Sequence, residues 1–199
     1  MPPNLDAWDA WHPRLLAGRL AGLEFPWYVA AGWALDLFVG APTRRHADLE
    51  IAVPAARFGD LAARFADCDF HVPYDGDIVP ATAATLEASH QTWALERATG
   101  RWRCDVFREP HDGDTWIYRR DERIRRPYAE IVEHGVDGVP YLAPEIVLLF
   151  KAKQTRDKDE VDFRMVLPLL DVARRRWLED ALLLVNPEHP WRAVLAAAR

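Results

Sequence analysis

Ala30-Ala31-Gly32-Trp33-Ala34-Leu35-Asp36-Leu37-Phe38-Val39-Gly40 and, two residues on, Thr43-Arg44-Arg45-His46-Ala47-Asp48-Leu49-Glu50-Ile51-Ala52-Val53 form the stretch that decides the fold. A small-residue turn opens a short helix, a basic loop follows, and two carboxylates then sit one residue apart in an apolar strand. Side chains alternate across a strand, so Asp48 and Glu50 share one face while Leu49 and Ile51 point to the core. Two like charges side by side repel unless a cation lies between them. A solvated edge strand would also alternate polar and apolar residues. With Gly32-Trp33 upstream and Thr-Arg-x-His between, metal ligation is the better account. Mg²⁺ is usually held by one or two carboxylates plus substrate phosphates.

A metal site that brings phosphate to a hydroxyl also needs a group that orients or deprotonates that hydroxyl. Asp105, in Trp102-Arg103-Cys104-Asp105-Val106-Phe107, is the first candidate, because a charge in the middle of an apolar strand is costly without a partner. The bland alternative is a salt bridge to Arg101 or Arg103, and Glu96 and Glu109 compete for the role. Gly32 and Trp33 open a helix whose free N–H groups and partial positive charge favour phosphate. Trp33 itself suits packing better than stacking on a base. Arg44 brings a guanidinium fork that fits phosphate oxygens. His46 reads as a loop hydrogen-bonder, and Asp36 as a surface residue or a partner of that loop.

The last charged cluster is Lys151-Ala152-Lys153-Gln154-Thr155-Arg156-Asp157-Lys158-Asp159-Glu160-Val161-Asp162. It follows the apolar run Ile146–Phe150, which places Lys151 or Lys153 at the edge of the core. Helical spacing predicts that Asp159 and Asp162 hold Lys158 or Arg156. A solvated helix junction is the ordinary alternative for such a run.

Ala31-Gly32-Trp33 followed by Asp48-Leu49-Glu50 resembles the nucleotidyltransferase superfamily, whose members start a short helix with Gly-Gly-Ser or Gly-Gly-Trp and carry Asp-x-Asp or Asp-x-Glu on the next strand. Trp33-Ala34-Leu35-Asp36, Gly40-x-x-Thr43-Arg44 and Arg44-x-His46-x-Asp48-Leu49 resemble the bacterial aminoglycoside 2″-type and lincosamide adenylyltransferases. Ala31 stands where the family has the first glycine of its pair, and glycine is the residue that allows close backbone approach. The resemblance implies an α+β nucleotidyltransferase fold, a mixed sheet flanked by helices with a C-terminal helical segment. It implies two Mg²⁺ ions at Asp48 and Glu50, with a third acid from a later strand, matched by Asp105. The triphosphate of ATP or another NTP would lie against Gly32, Trp33, Arg44 and Lys151 or Lys153. The acceptor would be a small hydroxylated molecule such as an aminoglycoside or lincosamide.

The net charge of −6 over 199 residues argues against a general nucleic-acid binder. Arg119, Arg120, Arg123, Arg125 and Arg126 leave open a toxin-type transferase acting on RNA or protein. A catalytically weak nucleotide-binding protein of the same fold is the third possibility. Two cysteines, Cys68 and Cys104, read as buried hydrophobes in a reducing compartment. The stretch Met1–Asp6 lacks the pattern of a signal peptide, no apolar run is long enough for a bilayer, and a cytoplasmic protein is expected.

The expected plan is a nucleotidyltransferase core over 1–142 with helices over 143–199 packed beside it. A helix is predicted over 5–22, strands over 27–30 and 48–53, a helix over 54–65, a strand over 69–72 and a loop over 73–90. A hairpin is predicted over 92–97 and 101–107, further strands within 115–118 and 136–142, and helices over 145–155, 158–170 and 174–185 before a short last one.

Overall fold

Leu49, Ile51, Ala52 and Val53 are all buried, and the strand they build is the middle of the molecule. The structure, a computed structural model, describes residues 3–197; Met1, Pro2, Ala198 and Arg199 lie outside the described residues. In chain order the first elements are helix α1 (Pro13–Arg19), β1 (Tyr28–Val29), α2 (Ala31–Val39) and β2 (Glu50–Pro54). A 3₁₀ turn at Ala55–Arg57 leads into α3 (Phe58–Ala62), then β3 (Cys68–Tyr74), β4 (Asp77–Pro80), α4 (Ala83–Ala88), β5 (Gln91–Glu96) and β6 (Arg101–Glu109). The strands β7 (His111–Asp112), β8 (Thr115–Ile117) and β9 (Arg125–Pro127) precede α5 (Tyr128–Ile131), β10 (Val132–His134) and β11 (Pro140–Leu142). The helices α6 (Pro144–Lys151), α7 (Asp157–Val166), α8 (Val172–Val185) and α9 (Trp191–Ala197) complete the chain.

Eight strands form one mixed sheet in the order β10-β11-β1-β2-β6-β5-β3-β4; β7, β8 and β9 form a small second sheet. β2 runs antiparallel to β1 and parallel to β6, and its register sets Glu50 beside Asp105, Ala52 beside Phe107 and Pro54 beside Glu109. Every second residue faces the same side, so these six share one face. α6 is buried from Pro144 to Leu149 and packs against α2 and α8, as a helix apolar on all sides must. No helix among the described residues is long and apolar enough to cross a membrane.

Three expectations are corrected. The helix over 5–22 is confined to α1, because Pro13 sits at its first turn, where a missing N–H costs nothing. Residues 7–11 instead run alongside the start of β6: Trp102 N donates to Ala7 O at 3.0 Å and Trp11 N to Arg103 O at 3.0 Å. Trp8 thereby joins Trp93 and Trp102, with ring centroids 5.1 and 6.2 Å away. Second, the expected loop over 73–90 holds β4 and α4. Asp75 and Gly76 both have positive φ, the signature of a tight hairpin turn, and Thr82 caps α4 through a reciprocal bond with Thr85. Third, β2 starts at Glu50 rather than 48, although Asp105 N still donates to Leu49 O at 2.8 Å.

Ala31 carries a positive φ of +49° at the start of α2. A Cβ in the left-handed region costs about 1–2 kcal/mol, and glycine avoids that cost at about 0.5–1 kcal/mol in backbone entropy. Ala31→Gly is expected to stabilise the fold by about 0.5 kcal/mol or more, read as a higher denaturation midpoint with an unchanged slope; a lower midpoint would show that the turn is unstrained.

Candidate active site

Helix α2 organises the basic loop that follows it. Asp36, buried in the helix, accepts a hydrogen bond from Thr43 Oγ1 at 2.5 Å and pairs with His46 Nε2 at 2.6 Å. His46 then stacks on Trp33 at 4.5 Å between centroids, and Trp33 Nε1 donates to the backbone oxygen of Asp48 at 3.2 Å. His46 is thus a loop hydrogen-bonder and Asp36 its partner, while Trp33 positions Asp48 instead of offering a free face. A Cβ on Gly32 would lie 2.4 Å from Arg44 Nη2 and 2.7 Å from His46 Cε1. Gly32 is therefore required by the loop that closes over it. Arg44 in turn reaches Asp162 of α7, Nε to Oδ1 at 3.4 Å.

The register of β2 and β6 brings Glu50 and Asp105 together, and Asp48 stands two residues before Glu50. Burial pushes the Glu50 carboxyl up to about 7, with the Asp48 charge adding to it and Lys151 and Lys158 opposing. Asp105 is pushed well above the usual carboxylate range, by burial first and then by Glu50. Gln91 Nε2 donates to Asp105 Oδ2, and Asp105 Oδ1 is buried with no hydrogen-bond partner. Gln91 lines the cleft, whereas Asp105 stands behind its wall. Among the described residues, no three Asp, Glu, His or Cys side chains could by themselves hold a metal ion. The donors at hand are two carboxylates on the cleft, Asp48 and Glu50, and the partnerless Asp105 oxygen. Hard oxygens of this kind suit Mg²⁺ when phosphate completes the shell.

The cations fall into two groups. Lys151 is buried, and its Nζ lies 2.8 Å from Asp159 and 2.9 Å from Asp162. Arg156 pairs with Asp159 as well, at 2.9 Å. Asp159 and Asp162 therefore hold Lys151, Arg156 and Arg44; Lys158, expected as their partner, is exposed on the cleft wall together with Lys153 and Arg45. The five arginines from 119 to 126 do not form a continuous patch. Arg119 pairs with Glu109 at 2.5 Å, Arg123 with Asp121, Arg125 with Glu122 and Arg126 with Glu145. Of the competitors to Asp105, Glu96 is engaged by Arg103 at 2.7 Å and does not line the cleft, and Glu109 lies four residues along the strand on Arg119.

All of this surrounds one cleft of about 920 Å³. Its floor is the sheet face carrying Tyr28, Glu50, Ala52, Phe107 and Glu109. The loop 43–48 and α2 wall one end, and Arg119, Arg120, His90 and Phe150 the other. Gln91, His90, Arg119 and Lys158 carry no motif, so only the pairing of distant segments could reveal them.

Residues 14–91 match the sequence profile of a family described as aminoglycoside-2″-adenylyltransferase. That span holds Gly32, the loop, Asp48, Glu50 and Gln91, and stops short of Asp105 and the helical half. No curated protein matches the chain in sequence. Among solved structures, the lincosamide antibiotic adenylyltransferase LnuA with lincomycin bound has a TM-score of 0.55 at 14% identity, over 78% of this chain and 96% of that one. ANT(2″)-Ia has a TM-score of 0.56 at 15% identity in its solution structure, over 92% of this chain and 91% of that one. Its crystal structure with adenylyl-2″-tobramycin gives 0.55 at 15% identity, over 92% and 93%. The fold is thus the α+β nucleotidyltransferase fold, and the resemblance drawn from Ala31–Trp33 and Asp48–Glu50 holds: profile and neighbours alike are those of adenylyltransferases.

Two outcomes follow from the site's charges. Lys151→Ala leaves buried carboxylates without their ammonium and should cost about 3 kcal/mol of stability. Lys153→Ala and Lys158→Ala should each cost less than about 0.5 kcal/mol; urea unfolding of the three variants separates junction from surface. Glu50 retains its proton in the folded state up to about 7, above its ordinary 4.5. Unfolded chain releases that proton first, so stability falls as pH rises from about 4.5 through 7. Calorimetry should show this loss, on the order of 2–3 kcal/mol at most, disappear in Glu50→Gln. Retention of the loss in that variant would assign it to another group.

Proposed function

We propose that this chain transfers a nucleoside monophosphate, AMP from ATP in the first instance, to a hydroxyl of a small molecule. The observation that carries the proposal is the side-by-side placement of half-buried Glu50 and buried Asp105 on parallel strands, neither paired with a cation, with Asp48 at the mouth and arginines and lysines around it. Mg²⁺ at Asp48 and Glu50, with Asp105 behind them, would supply positive charge to the phosphate oxygens as the bond to the leaving group breaks.

The protein's own groups divide the remaining work. Arg44, Arg45, Lys153 and Lys158 line the cleft and present guanidinium and ammonium groups to the triphosphate. Lys151, locked between Asp159 and Asp162, acts on the site by holding α6 against α7 and through its charge on Glu50. The acceptor oxygen bonds to the α-phosphorus while the bond from that phosphorus to the β-phosphate bridging oxygen breaks. Pyrophosphate leaves with the electron pair, and the hydroxyl proton passes, through one water, to Asp105 behind the cleft wall, which takes it once the cation at Asp48 and Glu50 has favoured its ionised form and whose Oδ2 is steadied by Gln91. Solvent then takes that proton. The two carboxylates stand in place despite Ala31, which supports an active enzyme over a degenerate binder. The pairing of Arg119, Arg123, Arg125 and Arg126 gives an RNA or protein target no support. A cytoplasmic setting, where nucleotide, Mg²⁺ and reduced Cys68 and Cys104 coexist, belongs to the same proposal.

Pyrophosphate release and nucleotide binding test it together. Asp48→Asn and Glu50→Gln should each reduce Mg²⁺-dependent nucleotide affinity and turnover by 100-fold or more. Asp105→Asn should lower kcat by a similar factor with nucleotide affinity changed less than threefold. Unchanged Mg²⁺-dependent binding in both of the first two variants would overturn the metal assignment.

A further inference from the structure

The end of the cleft farthest from the Thr43–Asp48 loop is built from Arg119, Arg120, His90, Phe107, Phe150 and Glu109. Glu109 is buried and its Oε1 takes Arg119 Nη1 at 2.5 Å, so its charge is committed. Arg119 lies over Phe107 and Phe150, its guanidinium carbon 5.0 and 4.4 Å from the ring centroids. Arg120 is exposed, rests 5.1 Å over Phe150, donates to the Phe150 backbone oxygen at 2.7 Å and also hydrogen-bonds the Tyr118 hydroxyl. A guanidinium has five N–H donors, and the others are left for a ligand. His90, stacked on Phe107, is pulled down to about 4 by burial and by the surrounding arginines, so this end is positive at neutral pH without it.

Across the whole cleft, eight lysine and arginine side chains face four carboxylates, in a chain whose net charge is −6. Of those four, Asp48 and Glu50 are the metal-facing pair, Glu109 is bound to Arg119, and Asp159 is bound to Lys151 and Arg156. A polycationic acceptor would find no uncommitted carboxylate here and several like charges. Arg120 and Lys153 also wall a second cavity of about 450 Å³, whose other sides are Tyr118, Leu149, Ala152, Val185 and Asn186. The Arg120 end therefore adjoins a mostly apolar space across the Arg120 and Lys153 side chains.

We propose that the acceptor is a hydroxylated molecule bearing an anionic group, a carboxylate or phosphate, which Arg120 receives at this end of the cleft while an uncharged portion enters the second cavity. This rests on the nucleotidyl-transfer function proposed above. It departs from the cationic antibiotic bound in the tobramycin adduct of the structural neighbour.

Inorganic phosphate and tobramycin are the probes. Protein saturated with Mg²⁺ and α,β-methylene-ATP is titrated with each by calorimetry, for the wild type and for Arg120→Glu, with circular dichroism to check that the exposed substitution leaves the fold intact. Phosphate should bind the loaded wild type, and Arg120→Glu should weaken it at least 10-fold while changing the affinity for the ATP analogue less than twofold. Tobramycin should show no saturable binding. Equal phosphate affinity in the two proteins overturns the proposal, as does tobramycin binding tighter than phosphate. A parallel loss of analogue affinity in Arg120→Glu also overturns it, because Arg120 would then grip the nucleotide. Failure of the analogue to bind wild type would count against nucleotidyl transfer itself. The phosphate titration of nucleotide-free wild type and Arg120→Glu would then decide the acceptor end alone.

Discussion

Glu50, half-buried, and Asp105, buried, occupy matched positions on two parallel strands in the middle of the sheet and repel each other. Removing a carboxylate from water costs several kcal/mol unless a charge or hydrogen bonds compensate. Here the compensation within the chain is partial: Gln91 serves one oxygen of Asp105, and the charges of Lys151, Lys158 and Arg119 act on Glu50 without contact. The site is held in a state that an added cation would relieve, and the rest of the fold supplies the stability that makes this tolerable. α6, buried along its length, and the Trp8–Trp93–Trp102 cluster are the plainest contributors. Aromatic pairs of this kind add about 0.5–1.5 kcal/mol each beyond their burial.

Two buried polar relays keep the walls of the cleft in place. Asp36 draws Thr43 and His46 back onto α2, and His46 and Trp33 carry that order to Asp48. Asp159 and Asp162 gather Lys151, Arg156 and Arg44, tying α6 to α7 and α7 to the loop. Each relay puts a buried carboxylate against cations or hydroxyls, the arrangement in which a buried charge is affordable. Neither relay leaves its acids available to a ligand. Lys158 faces the cleft although Asp162 lies one turn away, because Lys151 and Arg44 already hold that acid; Lys153 and Arg45 face the cleft with it.

The polarity of the cleft follows from the same economy. Its acids are either the unneutralised pair or already engaged, so its surplus is positive although the chain as a whole is negative. Net charge describes the far field of a protein; the chemistry of a cleft depends on which charges remain unpaired within it.

That Asp48 and Glu50 share a face was legible from alternation, and it was Gly32-Trp33 upstream with Thr-Arg-x-His between that set the pair apart from an ordinary solvated strand. The short helix before them was legible from Gly40 and Pro42, and the Asp36–His46 bond was one of two alternatives the spacing allowed. Asp75-Gly76 carried a hairpin signal that polar composition masked, and Pro13 marked the start of a helix rather than a flaw within one. What tertiary structure alone decided is which distant segments meet. Helical spacing offered Asp159 and Asp162 to Lys158 or Arg156; Arg156 does pair with Asp159, but Lys151 of α6 also takes both acids, because α6 and α7 pack together and burial rewards the drier contact. Gly32, read as a phosphate contact, lines the cleft and also seats Arg44 and His46. Gln91 beside Asp105, and Arg119 on Glu109, depend on the register of β5 on β6 and the return of the small sheet. Local periodicity is written into neighbouring residues; the partner of a buried charge depends on long-range packing, which no local pattern encodes.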